Sequence, residues 1–246
     1  MSDFKFTRNE QFPPIVKNLI IINVLVYIAH FLLKGQFDVA GTFAMRPIMP
    51  PQLKDILING NVITADQVFK PYQLVTHMFT HSTNSFTHIL FNMFGLYMFG
   101  KILENFWGGK RFLIFYLACG LGAAVCHLIV QYFRCTELLQ AINLNNTADI
   151  TKYGGAIAAT VGASGAVMGI FAAFAYLFPN TELYLMFIPV PIKAKWAVIG
   201  FAAIDLFGGV ANMSGDNIAH WAHLGGALVG FLLVLYWNKR NKKTFY

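Results

Sequence analysis

The chain has 246 residues, of which 57% are hydrophobic and only 12% charged. Soluble domains carry about 25% charged residues, so an ordinary soluble fold is excluded and a polytopic membrane protein is the class that fits. The formal charge of +7 is spread over loops, without the long run or aromatic-interleaved basic patch that nucleic-acid binding requires.

The first 14 residues are polar and too short to fold alone. No A-x-A site follows the first apolar run, so a cleavable signal is not expected. Six apolar segments then approach or reach the roughly 20 residues that cross a bilayer core. They run over 15–34, 86–103, 112–133, 156–178, 194–210 and 218–237, followed by a basic tail, 238–246. The expected fold is an all-α polytopic bundle of six membrane helices over 15–237. Its first loop, about 35–85, mixes Phe, Met and Pro with few charges and suits a segment lying partly in the membrane interface.

Topology follows from Lys and Arg. With a cytoplasmic N-terminus, 12 of the 18 basic residues fall on the inside. Both termini are then cytoplasmic, and the second, fourth and sixth spans start at the outer face. Short basic inside loops suit a bacterial cytoplasmic membrane. Cys119, Cys126 and Cys135 show no metal spacing and read as small buried hydrophobes. His77 and His81 stand at i, i+4 without a clear third ligand, so no metal is expected.

Polar side chains inside a membrane are costly and are functional candidates. His88 and Asn92, four apart, share a face of the second span. Ser164 lies in the fourth span, and His220 and His223 lie at the start of the sixth. Helical rise puts Ser164 and His223 each roughly 10 Å below the outer face. A serine becomes a nucleophile when a base takes its proton, and histidine is the usual base. Ser164 would attack, His223 would accept the proton, and His88, Asn92 and the Ser164 N–H would supply an oxyanion hole. Gly162, Gly165 and Gly169 strip the serine helix of side chains, and Gly226 and Gly230 do the same on the face of His223. Such small residues let helix backbones meet. Asp205, Asp216 and Glu104 are the nearest acids; none is evidently placed to orient His223, so a Ser-His dyad is the simpler reading.

At these residues the sequence resembles the rhomboid family of intramembrane serine proteases. The resemblance rests on "GASG" at 162–165, "AHLGGALVG" at 222–230, "HILFN" at 88–92 and "ENFWGGKRF" at 104–112, and covers about 70–235. It implies a six-span bundle that cleaves transmembrane-anchored proteins at or just inside the outer membrane surface, without metal or cofactor. It also implies Ser164 as nucleophile, His223 as base, and His88 and Asn92 as oxyanion donors. It selects His223 over His220, because glycines stand at the family's positions three and seven residues after His223; His220 becomes a neighbour at the mouth of the site. One departure is Tyr72-Gln73, where many members carry Trp-Arg in the first loop. Two rivals remain. A non-proteolytic client-binding relative would lack the serine or histidine, and a histidine proton-relay transporter would show repeats.

Overall fold

The computed structural model describes residues 10–184, 190–211 and 219–240, the side chain of Arg240 excepted. Asp216, the outer loop at 211–217 beyond Ala211, the first nine residues and the tail beyond Arg240 lie outside the described residues.

Helix α1, Pro14–Leu32, enters on Pro13 and Pro14 and has no side-chain cap of its own. Proline suits a helix start because it has no N–H to satisfy there. The first loop folds into α2, Val39–Phe43; α3, Pro51–Asn59; and α4, Gln73–Thr76, which tightens into a 3₁₀ turn over His77–Phe79. A single long helix follows over Phe86–Trp107. It consists of α5, Phe86–Gly95, a π-helical turn at Leu96–Gly100, and α6, Lys101–Trp107.

Helix α7, Gly109–Asn143, is 35 residues long, about 52 Å. It runs ten residues past the expected end at 133. Hydropathy falls there, but Cys135, Leu138 and Leu139 keep a helical spacing and pack with Leu53, Leu57 and Ala156 into a second, smaller core. After α8, Thr147–Tyr153, and a 3₁₀ turn at Gly154–Ile157, the fourth expected span begins late: α9 is Ser164–Leu177. Residues 158–163 are not helical, and Gly162 has φ +124°. A two-residue hairpin, Glu182–Leu183 against Ile192–Lys193, leads to α10, Ala194–Ala211, and α11, His220–Arg240, closes the chain.

Five described helices are long and apolar enough to cross a membrane; α9, with 14 residues, is shorter. The protein is a helical membrane bundle. Helix α11 packs against α9 and α7 at the centre, and α1, α5, α6 and α10 surround them. The main core gathers Phe112, Phe115, Tyr116, Cys119, Ile170 and Val234. Lipid-type side chains cover the rim: Leu25 and Leu32 on α1, Ile204 and Phe207 on α10.

Glu104 explains the start of "ENFWGGKRF". Its carboxylate accepts the N–H groups of Ile15 at 2.9 Å and Val16 at 2.7 Å. It therefore satisfies the first-turn donors that α1 cannot satisfy itself. Gly108, at φ +80°, ends α6, and the Arg111 guanidinium lies 4.5 Å from the Trp237 ring.

Candidate active site

The site starts from a backbone seam. Gly226 faces the Gly165 carbonyl so closely that no Cβ would fit, and Gly230 faces Gly169 likewise. On the α9 side, a Cβ at Gly165 or Gly169 would strike Ala123 or Cys119 of α7 first, with the Ala222 and Gly226 carbonyls of α11 next. These close approaches bring α11 onto α9, and His223 Nε2 then shares a 2.8 Å hydrogen bond with Ser164 Oγ. Ser164 is the first residue of α9, so its N–H belongs to the helix's unpaired first turn, where the dipole favours negative charge.

The late start of α9 changes how depth arises. The helix is about 21 Å long against a hydrocarbon core of about 30 Å. It is thus roughly 10 Å shorter than such a core, and the chain leading into Ser164 is irregular backbone instead of helix. Such backbone must be satisfied within the protein. Here Thr160 exchanges both backbone hydrogen bonds with Met45, Gly162 N–H donates to the His77 carbonyl at 2.9 Å, and Gln131 Nε2 donates to the Ala158 carbonyl at 2.8 Å. His127 Nε2 and Thr160 Oγ1 share a 2.8 Å bond.

On its other side His223 meets an acid. Asp205 Oδ1 lies 3.0 Å from His223 Nδ1 and 2.7 Å from His220 Nδ1. Asp205, one of the three acids that the sequence could not place against His223, is in contact with it. The span 194–210 keeps its expected place, and Asp205 faces inward from it. His220 is buried beside His223. Glu104 serves α1 instead.

His88 and Asn92 share a face of α5 but have different surroundings. The Ser82 N–H donates to His88 Nδ1 at 3.3 Å. A neutral imidazole that accepts at Nδ1 carries its proton on Nε2. That nitrogen faces Gly162: a Cβ there would lie 2.9 Å from His88 Nε2 and 3.8 Å from Ser164 Oγ. The absent side chain leaves a space bordered by a ring N–H and the serine oxygen. Asn92 is buried and its amide donates to the His88 carbonyl at 2.8 Å, one turn back along α5.

The first loop roofs the site. Gln73, of the Tyr72-Gln73 pair, is 1% exposed. Its carbonyl oxygen accepts the N–H groups of Arg46 at 3.2 Å and Lys70 at 3.1 Å, and its amide donates to the Thr42 carbonyl at 3.3 Å. Tyr72 Oη donates to the same carbonyl at 3.2 Å. One buried amide thus ties three parts of the loop together. His77 Nδ1 is 2.8 Å from the Gln73 backbone carbonyl oxygen, and the His81 ring lies beside His88, tilted by 58° with centroids 5.2 Å apart. Burial pushes both imidazoles down, His81 to about 3, helped by the neighbouring His88.

Comparison with known proteins shows the family. The Rhomboid domain family model matches residues 68–240. The chain belongs to the rhomboid family. It is 32% identical over 211 residues to RHOMBOID-like protein 12, mitochondrial, of Arabidopsis thaliana, covering 84% of this chain and 57% of that one. It is 28% identical over 182 residues to Rhomboid protein 1, mitochondrial, of Saccharomyces cerevisiae, covering 74% and 46%. It is 26% identical over 227 residues to Rhomboid protease AarA of Providencia stuartii, covering 87% and 69%. The chain thus spans about half the length of the first two of these relatives.

In this rhomboid, Asp205 is the site residue that reading the sequence left unplaced. A signal existed: a carboxylate eleven residues into an apolar helix demands a partner. What sequence could not supply was the face of α10 that meets α11.

Proposed function

We propose that this rhomboid is an intramembrane serine endopeptidase that cuts transmembrane-anchored proteins, with Ser164 as nucleophile and His223 as general base. The observation that carries the reading is the 2.8 Å bond from His223 Nε2 to Ser164 Oγ, beside the open position at Gly162. In this reading His223 takes the Ser164 proton as Oγ attacks the scissile carbonyl, and returns it to the leaving amine. The developing oxyanion is met by His88 Nε2–H, by the Ser164 N–H and by the positive end of α9. Asn92, whose amide keeps a second hydrogen besides the one given to the His88 carbonyl, is a further donor to the oxyanion. No step asks for a metal or cofactor.

A narrow cavity beside Ser164 is walled by Gly120, Ala123, Gly165, Ala166, Ala219 and Ala222, with Met78 at its side. A substrate helix must unwind first, because its carbonyls are bonded internally. We place both termini on the cytoplasmic side and the site near the outer face of a bacterial cytoplasmic membrane, on the strength of the basic loops.

The test is labelling of the detergent-purified protein with a fluorophosphonate, alongside cleavage of a single-span test substrate. Native protein is expected to label and cut. Ser164→Ala and His223→Ala should lose at least about 10³-fold in both assays. Equal labelling of all three, or no cleavage by any, would favour a non-proteolytic client-binding protein instead.

A further inference from the structure

Asp205 is 6% exposed and sits on a helix whose neighbours along the chain are apolar. A carboxylate there is expensive unless its hydrogen bonds are supplied. Both bonds given to Oδ1 come from imidazole Nδ1 atoms, of His220 at 2.7 Å and His223 at 3.0 Å. For His223 the consequence is specific. A neutral imidazole has one N–H, and a carboxylate at Nδ1 fixes that proton there. The lone pair is then on Nε2, 2.8 Å from the Ser164 hydroxyl. This is the tautomer a general base needs.

The approach of α10 is itself built. Gly208 and Gly209 follow Asp205 at i+3 and i+4, on the same helix face. A Cβ on Gly208 would strike the His220 ring, and one on Gly209 would lie 3.0 Å from the Trp221 indole. The Gly209 carbonyl, in the last turn of α10, accepts from Arg134 Nη2 at 2.7 Å and from Trp221 Nε1 at 3.2 Å. Carbonyls in a last turn have no partner within their own helix. Here α7 and α11 supply the donors, one turn beyond Asp205.

We propose that Asp205 is the positioning residue of His223, so that the centre operates as Ser164–His223–Asp205 and not as a bare pair. The inference rests on the reading of Ser164 and His223 as the reacting residues. The proton balance is simple. The Ser164 proton moves to His223 Nε2 and then to the leaving nitrogen. The Nδ1 proton stays on His223 throughout, and Asp205 remains a carboxylate that faces the transient imidazolium.

The experiment combines kinetics and nitrogen NMR. Native protein and Ser164→Ala are first labelled with fluorophosphonate; if native protein fails to label, the protease reading falls, and this proposal with it. Given native labelling, Asp205→Asn is expected to reduce kcat between about 100- and 10,000-fold, with KM within threefold, because an amide can donate to Nδ1 and select the opposite tautomer. Thermal unfolding in detergent should stay close to native. A native kcat, or a change confined to KM, would overturn the positioning role while leaving the protease reading intact. Should Asp205→Asn not fold, ¹⁵N-histidine spectra of the native protein decide: His223 must be the Nδ1–H tautomer, and an Nε2–H tautomer refutes the proposal.

Discussion

His223 is held from two sides by contacts of opposite kind. Toward α9 it is delivered by a backbone seam, Gly165 and Gly169 against Gly226 and Gly230, with no side chain between the helices. Toward α10 it meets one side chain, Asp205, which His220 also bonds, while Trp221 of α11 donates to the Gly209 carbonyl close by. The first contact fixes the distance between Ser164 and His223, because packed backbones have few alternative arrangements. The second fixes the proton's place on the ring. Apolar packing sets position here, and one buried charge sets chemistry. The outer face of α10 is bare, with Ile204 and Phe207 exposed, while its inner face packs Ala194 and Ala197 against Phe171 and Phe174 of α9.

The largest effect should come from breaking the seam. Gly226→Val puts two methyl groups where the Gly165 carbonyl already stands, and neither backbone can yield without parting the helices. Overpacking costs about 1–3 kcal/mol and more where nothing relaxes. Fluorophosphonate labelling should disappear and thermal unfolding should fall together. Native labelling by this variant would mean the seam does not set the serine–histidine distance.

Breaking the other side should act differently. A Cβ at Gly208 meets the His220 ring, a side chain that can move, so Gly208→Val should fold. It would push α10 back and lengthen the Asp205–His223 bond. A misplacement near 1 Å can cost about 100-fold in rate. The expected outcome is a kcat loss of that order with thermal unfolding nearly unchanged. A variant that loses stability and rate in parallel would show that the two sides of His223 work alike.

The same contrast explains what the sequence revealed. The seam was legible, because glycines at fixed spacing on two apolar helices announce a close contact, and Ser164 and His223 lie on it. Five helices were legible from hydropathy to within a few residues at most ends. The start of α9 was not: residues 156–163 are as apolar as a span, and the break at Gly162 is a matter of backbone angle and of hydrogen bonds to Met45 and His77. The outer ten residues of α7 were missed because their partners, α3 and α8, are far away in sequence or short. Asp205 was visible as a costly charge, yet its partner depended on helix rotation. Gln73 read as a departure, but its amide makes the loop bonds itself.

The first loop, the third wall of the site, tests whether a buried polar group there behaves like the seam or like Asp205. His81 is 2% exposed, and burial first, then the neighbouring His88, pushes its imidazole from 6.5 down to about 3. The folded loop therefore keeps His81 neutral at a pH where the unfolded chain protonates it. Its contribution is complete above about pH 6.5 and declines as pH falls toward 3. At pH 5, 1.5 units below the unfolded value, the loss is about 2 kcal/mol. His81→Phe should remove that loss, so unfolding in mixed micelles at pH 7.5 and pH 5 should differ by about 2 kcal/mol less than in the native protein. His77, also pushed down by burial, would sustain the remaining dependence. If the variant loses kcat at pH 7.5 while its pH-dependent stability stays native, His81 acts as Asp205 does, on the chemistry. If the pH dependence shrinks and the rate is kept, the loop is held in the manner of the seam, by what it excludes from water.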